Sequence, residues 1–224
     1  MDEIDISLKK MDEHVKKVIA QESLPFWLQY FPTQADASDF IKNCLKKLLT
    51  RRMMLRTEWY VKIADKMPKI HDSRPALQVI FLVALAEGIA RRRFTKKEAD
   101  DMGPTQLVID FFRYIIGSDK KELEMKFRRS LTSTGYHQLY ISSIIRILYQ
   151  VRNDAVHGED YWDFSLVDTK RHKDAHEPHW RLMTSGWLGP RKRKRRITVE
   201  TKLTYENLRD IFIRTAIQNI QLKF

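Results

Sequence analysis

The chain has 224 residues, of which 43% are hydrophobic and 11% aromatic, enough apolar material for one large or two small packed domains. Lys and Arg outnumber Asp and Glu by 41 to 29, a formal charge of +12 that favours a polyanionic partner such as nucleic acid or an anionic surface. A single cysteine, Cys44, excludes a disulfide framework or a cysteine-built zinc site within one chain and suits a reducing cytoplasm, and no apolar run approaches the ~18–20 residues that span a bilayer.

The opening MDEIDISLKK is acidic where a signal peptide needs a basic start and an apolar stretch. Ile4, Leu8, Met11, Val15 and Val18 recur at helical spacing, which predicts a helix over residues 1 to about 20. Leu24 to Pro32 (LPFWLQYFP) reads as an aromatic, packed connector between prolines. From Ser38 a long pattern of Phe40, Ile41, Cys44, Leu45, Leu48 and Leu49 predicts one helix to about Lys66, stopping before Pro68. Pro75 suits the first turn of the next helix, which carries Leu77, Ile80, Phe81, Ala84 and Leu85. That helix ends in Arg91-Arg92-Arg93, cations that complement a helix C-terminus.

Thr95 is placed to cap a short helix. Pro104 opens another, with Leu107, Val108, Phe111, Phe112 and Ile115 on one face and Gly117 at its close. Ser118 starts a helix expected to reach about Leu131, and Thr134-Gly135 breaks the chain before a helix from about His137 to His157. The pattern then switches to alternation. Trp180, Leu182 and Thr184, and Ile197, Val199, Thr201 and Leu203, predict two strands of a hairpin joined by GPRKRKR. Thr204 caps a last helix with Leu208, Ile211, Phe212, Thr215 and Ile220 inward. Scarce Gly and Pro, seven each, agree with a mainly all-α fold. The expected organisation is an N-terminal helical extension over 1–70 and a helical domain over 71–224. A β-hairpin is inserted at about 178–203, before the C-terminal helix.

One helix departs from its own pattern. Ile141, Ile144, Ile145, Leu148, Val151 and Ala155 share one side, and Arg152 falls inside the same arc. A guanidinium within an apolar stripe is costly unless it is paired or serves a ligand, so a structural ion pair and a functional role both stand open. Asn153 and His157 are four residues apart and stack along one face. Gly158 suits the residue just past a helix end, where the negative helix terminus would favour an imidazolium near neutral pH.

Arg-Asn-x-x-x-His followed by Gly, in the context YQVRNDAVHG, resembles the signature of the HEPN superfamily (higher eukaryotes and prokaryotes nucleotide-binding domain). That signature is an Arg, four to six residues, then a His, often with a polar residue directly after the Arg. The start of the last helix, LTYENL, also resembles the family's closing helix, so the likeness spans about residues 72–222 with the hairpin as an insertion. The resemblance implies an antiparallel helical bundle and a metal-independent endoribonuclease with no cofactor. His157 would serve as general base or acid at the RNA 2′-hydroxyl or the leaving oxygen. Arg152 would hold the scissile phosphate, and Asn153 would orient the phosphate or the His.

It also implies dimerisation, with motif helices facing each other across a composite cleft. The apolar stripe of the motif helix would then face a second subunit, as a homodimer or with another such domain. The family carries roles in prokaryotic antiviral defence, stress response and toxin–antitoxin systems. Some of its toxins place a Tyr two residues after the His, where a partner protein modifies it. Glu159 occupies that position, which weakens a toxin–antitoxin assignment through that residue. The alternative expectation is a catalytically silent HEPN module that binds RNA or assembles with a partner protein.

Arg191, Lys192, Arg193, Lys194, Arg195 and Arg196 are six consecutive cations at the expected hairpin tip. They read as a phosphate-gripping finger, or as a solvated turn. Trp180 and Trp187 could stack on bases, although Trp180 also fits the packed face of the hairpin. His172, His176 and His179 sit three to four apart beside Asp174 in a segment interrupted by Pro178, so no metal site is expected. Glu87 could pair with Arg152 or be an ordinary rim carboxylate. Arg128-Arg129 and Arg91-Arg92-Arg93 could extend an RNA track or face water.

Overall fold

A computed structural model describes residues 3–70, 75–131, 135–157, 181–184, 197–201 and 203–224. The described chain is mainly helical: α1 (Glu3–Trp27), α2 (Gln34–Lys46), α3 (Leu48–Ile70), α4 (Pro75–Arg91), α5 (Lys96–Met102), α6 (Pro104–Phe111), α7 (Gly117–Lys126), α8 (Ile141–His157) and α9 (Tyr205–Gln221). It divides into two compact units, residues 1–59 with 220–224, and residues 60–219.

In the first unit, α1 runs on through Pro25 to Trp27 instead of stopping near residue 20. The proline removes one amide donor near the helix end. Burial of Trp27 against Phe26 (4.9 Å between ring centroids, edge-on) and Phe40 (5.0 Å) offsets that loss. The expected helix from Ser38 to about Lys66 is two helices, because Lys47 adopts an extended conformation between α2 and α3. The Thr50 hydroxyl lies 2.7 Å from the Cys44 carbonyl oxygen and 3.0 Å from that of Lys47, satisfying groups the break exposes. Apolar spacing runs across the break, so periodicity alone could not reveal it. α3 also passes Pro68 and reaches Ile70.

In the second unit, α4 packs against α6 and α8. Thr95 caps α5 as expected and completes a capping box, its hydroxyl accepting from the Glu98 amide while the Glu98 carboxylate accepts from the Thr95 amide. Gly103 holds φ of 72° at the turn between α5 and α6, where a side chain would be strained. α9 buries Leu208, Ile211, Phe212 and Thr215 completely. It is tied to α7 by a two-pronged Arg214–Asp119 pair at 2.8 and 2.9 Å.

Two expected helix segments are strands. The helix from Ser118 ends at Lys126, and Phe127–Leu131 forms β1. The helix expected from His137 begins at Ile141, after β2 (Gly135–Gln138). With β3 (Arg181–Thr184) and β4 (Ile197–Thr201) they make an antiparallel sheet in the order β2-β1-β4-β3. Phe127 pairs with Thr201, and Arg181 pairs with Glu200. Phe127 is fully buried, so long-range pairing and burial override the helical reading of the FRRSL segment. The start of α8 is fixed by Glu124 of α7, whose carboxylate accepts from the Ile141 amide at 3.1 Å.

Candidate functional site on α8

Ile144, Ile145, Leu148 and Val151 of α8 are at most 1% exposed. Their stripe is consumed inside the second unit, where α8 packs on α4 and α6. The expectation that this stripe faces a second subunit is therefore corrected: the fold itself covers it. Arg152 stands in the same arc and is half-buried near the end of the helix.

Three features define the Arg152 guanidinium. Its Nη1 donates to Asn153 Oδ1 at 2.9 Å. Its carbon lies 5.6 Å from the centroid of the Tyr149 ring, a cation–π contact. Its Nε is buried and has no acceptor among the described residues. A buried donor without an acceptor costs about 1–3 kcal/mol, so Arg152 is not a fully satisfied structural arginine.

Tyr149 is 8% exposed and its hydroxyl lies beside the Thr105 side chain at the start of α6. Burial pushes its phenol up, with Arg152 pulling it down and Glu87 pushing it further up, so the group stays protonated at neutral pH. Glu87 itself pairs with Arg91 at 3.8 Å rather than with Arg152. Sequence reasoning missed Tyr149. The signal was its position three residues before the arginine, but only α6 shows that it anchors the pair.

α8 extends to His157, whose side chain, like Gly158, lies outside the described residues. Helical geometry still fixes where His157 starts. It is four residues from Asn153, hence on the same row. It is about 140° around the axis from Arg152, at 3.6 residues per turn. Asn153 thus stands between the two, bonded to Arg152 and in line with His157. Within one α8 the backbone positions of Arg152 and His157 face different sides of the helix.

The same row continues back through Gln150 to Arg146. Arg146 is exposed and borders an open pocket of about 220 Å³ whose other walls are Met102, Gly103, Pro104, Thr105 and Gln106. Arg146 was also missed, because a cation on the outward face of a helix reads as an ordinary solvated residue.

The other sequence candidates separate clearly. Arg93 is not on an RNA track. Its side chain is 8% exposed and pairs with the fully buried Asp110 at 2.9 Å. It also donates to Asn219 Oδ1 at 2.8 Å and sits 4.5 Å from the Tyr114 ring centroid. Arg91 pairs with Asp100 at 2.7 Å. Arg128 and Arg129 belong to β1 by their backbone. Arg191, Lys192, Arg193, Lys194, Arg195 and Arg196, with Trp180, Trp187, His172, His176 and His179, lie outside the described residues. Among the described residues, no group of three or more His, Cys, Asp or Glu could hold a metal ion, and no helix is long and apolar enough to cross a membrane. Comparisons with protein-family models, with curated proteins and with solved structures found no match to this chain.

Proposed function

We propose that this chain is a cytoplasmic, metal-independent endoribonuclease of the HEPN type, built on a HEPN-like helical bundle and active as a homodimer. One observation carries the reading. The sequence Arg152-Asn153-x-x-x-His157 lies at the end of α8, and its arginine is clamped by Asn153 and Tyr149 yet keeps an Nε without an acceptor among the described residues. The charge of +12 and the cationic run at 191–196 fit a phosphodiester substrate.

In this reading the RNA 2′-oxygen attacks the adjacent phosphorus and the bond to the 5′-oxygen breaks. The products are a 2′,3′-cyclic phosphate and a 5′-hydroxyl. His157 removes the 2′-hydroxyl proton or returns one to the leaving oxygen. Arg152, always charged and planar, binds the non-bridging oxygens as negative charge builds. Because positions 152 and 157 are about 140° apart around α8, two copies of the helix complete the site. The contact between copies does not use the buried stripe of α8.

The test is cleavage of single-stranded and structured RNA in EDTA by the wild type, Arg152→Ala and His157→Ala. We expect wild-type cleavage leaving cyclic phosphate ends, with each variant slower by a factor of about 100 or more. Undiminished cleavage by both variants would remove the assigned site. RNA binding with no cleavage would move the protein to a silent RNA-binding module.

A further inference from the structure

Resting on the ribonuclease reading, we propose that Arg146 and the pocket beside it form an accessory subsite for the backbone of the bound RNA strand, outside the Arg152–Asn153–His157 motif. Arg91, Arg93, Arg113, Arg209 and Arg214 of this unit each pair with a carboxylate. Arg146 makes no such pair among the described residues, although it projects beside a polar recess large enough for a phosphate group. An arginine kept free of carboxylates at a recess wall is suited to an anion.

Two further observations tie this recess to the motif. Arg146 precedes Asn153 by seven residues and His157 by eleven, which places all three on one row of α8, about 10 and 16 Å apart along the axis. Thr105, a wall of the recess, lies beside the hydroxyl of Tyr149, whose ring lies beneath the Arg152 guanidinium. A strand held at the motif and laid along α8 therefore meets Arg146 at a neighbouring phosphate. The contact is to backbone and carries no base preference.

The experiment measures binding of the full chain to a 2′-O-methyl oligoribonucleotide, which cannot be cleaved, by fluorescence anisotropy over a series of salt concentrations. Arg146→Ala is expected to weaken binding about fivefold, equally for different sequences, and to lower the salt slope by about one. Arg146→Lys restores both, and Lys120→Ala, at an exposed cation on α7, changes neither. Unchanged affinity and slope in Arg146→Ala, with wild-type binding intact, overturn the subsite and leave the ribonuclease reading untouched. Arg146-dependent binding by a protein that cleaves no RNA upholds the subsite and sinks the ribonuclease reading. No wild-type binding even at low salt overturns both.

Discussion

At the scale of single residues, Arg152 shows how a side chain on an apolar stripe can be held without being satisfied. Tyr149 supplies the surface beneath it and Asn153 an acceptor for Nη1. Tyr149→Phe keeps the ring and deletes only the hydroxyl beside Thr105. We expect it to cost about 1 kcal/mol in urea unfolding with RNA cleavage largely retained. Tyr149→Ala removes the ring as well and should cost about 3 kcal/mol or more. Cys44 allows a second test. Burial pushes its thiol up, so the folded chain keeps a proton that the unfolded chain releases above pH ~8.5. Stability is therefore full below that pH and falls as pH rises, by at most about 1.4 kcal/mol per pH unit for this one group. Urea midpoints of Cys44→Ala should fall less than those of the wild type between pH ~8.5 and ~10. Arg152 could be picked out from the sequence because it falls inside an apolar arc, and Asn153 and His157 because the pattern resembles the HEPN signature. Tyr149 and Arg146 could not, since each takes its meaning from α6, a separate segment of the chain.

At the scale of elements, the helices with local signals are those the sequence located well. Thr95 with Glu98, and Pro104, mark the starts of α5 and α6 without any knowledge of the fold. Thr95→Ala should cost about 1 kcal/mol, read as a shift in the thermal or urea midpoint. The failures share a cause. β1 takes residues with helical patterning because Phe127 gains burial and a strand partner at Thr201, neither visible locally. The break at Lys47 is hidden because Leu48 and Leu49 continue the apolar spacing of α2, although Leu48 is exposed and the buried set of α3 starts at Thr50 and Met53. Arg93 belongs here too. It stands in a basic triplet that suits a helix end, yet it crosses to α6 and meets Asp110 at full burial. Asp110→Ala should destabilise the chain by about 3–5 kcal/mol, because it strands a buried guanidinium. Arg91→Ala, at an exposed pair, should cost under about 1 kcal/mol.

At the scale of the whole molecule, the mainly helical character followed from composition, and the apolar faces of α4, α6, α8 and α9 followed from periodicity. What composition and periodicity could not supply was the use made of the α8 stripe. Apolar spacing looks the same whether a helix buries its face in its own unit or against another copy, and here it is the former. The net charge leads to one molecule-wide expectation. Replacing Arg191, Lys192, Arg193, Lys194, Arg195 and Arg196 with serine should flatten the salt dependence of RNA binding, by about one unit for each phosphate that the protein then leaves unneutralised. Light scattering on the same samples reports mass, and a strict monomer at working concentration would remove the composite site.

The last helix has a consequence in the timing of synthesis. Residues 205–219 complete the unit that carries α8, and residues 220–224 complete the other, with Lys47 Nζ donating to the Lys223 carbonyl at 2.8 Å. A nascent chain released only as far as β4 exposes the whole Arg152–His157 motif but lacks the Leu208, Ile211 and Phe212 core and the Arg214 anchor to α7. The unit that carries α8 cannot close until residues up to 219 have left the exit tunnel. Under the ribonuclease proposal, the motif stays inert toward the messenger that encodes it until α9 has emerged. Ribosome-stalled chains ending at residue 204 should be protease-sensitive over residues 60–204, whereas chains carrying a tunnel-length linker after residue 224 should acquire resistance there.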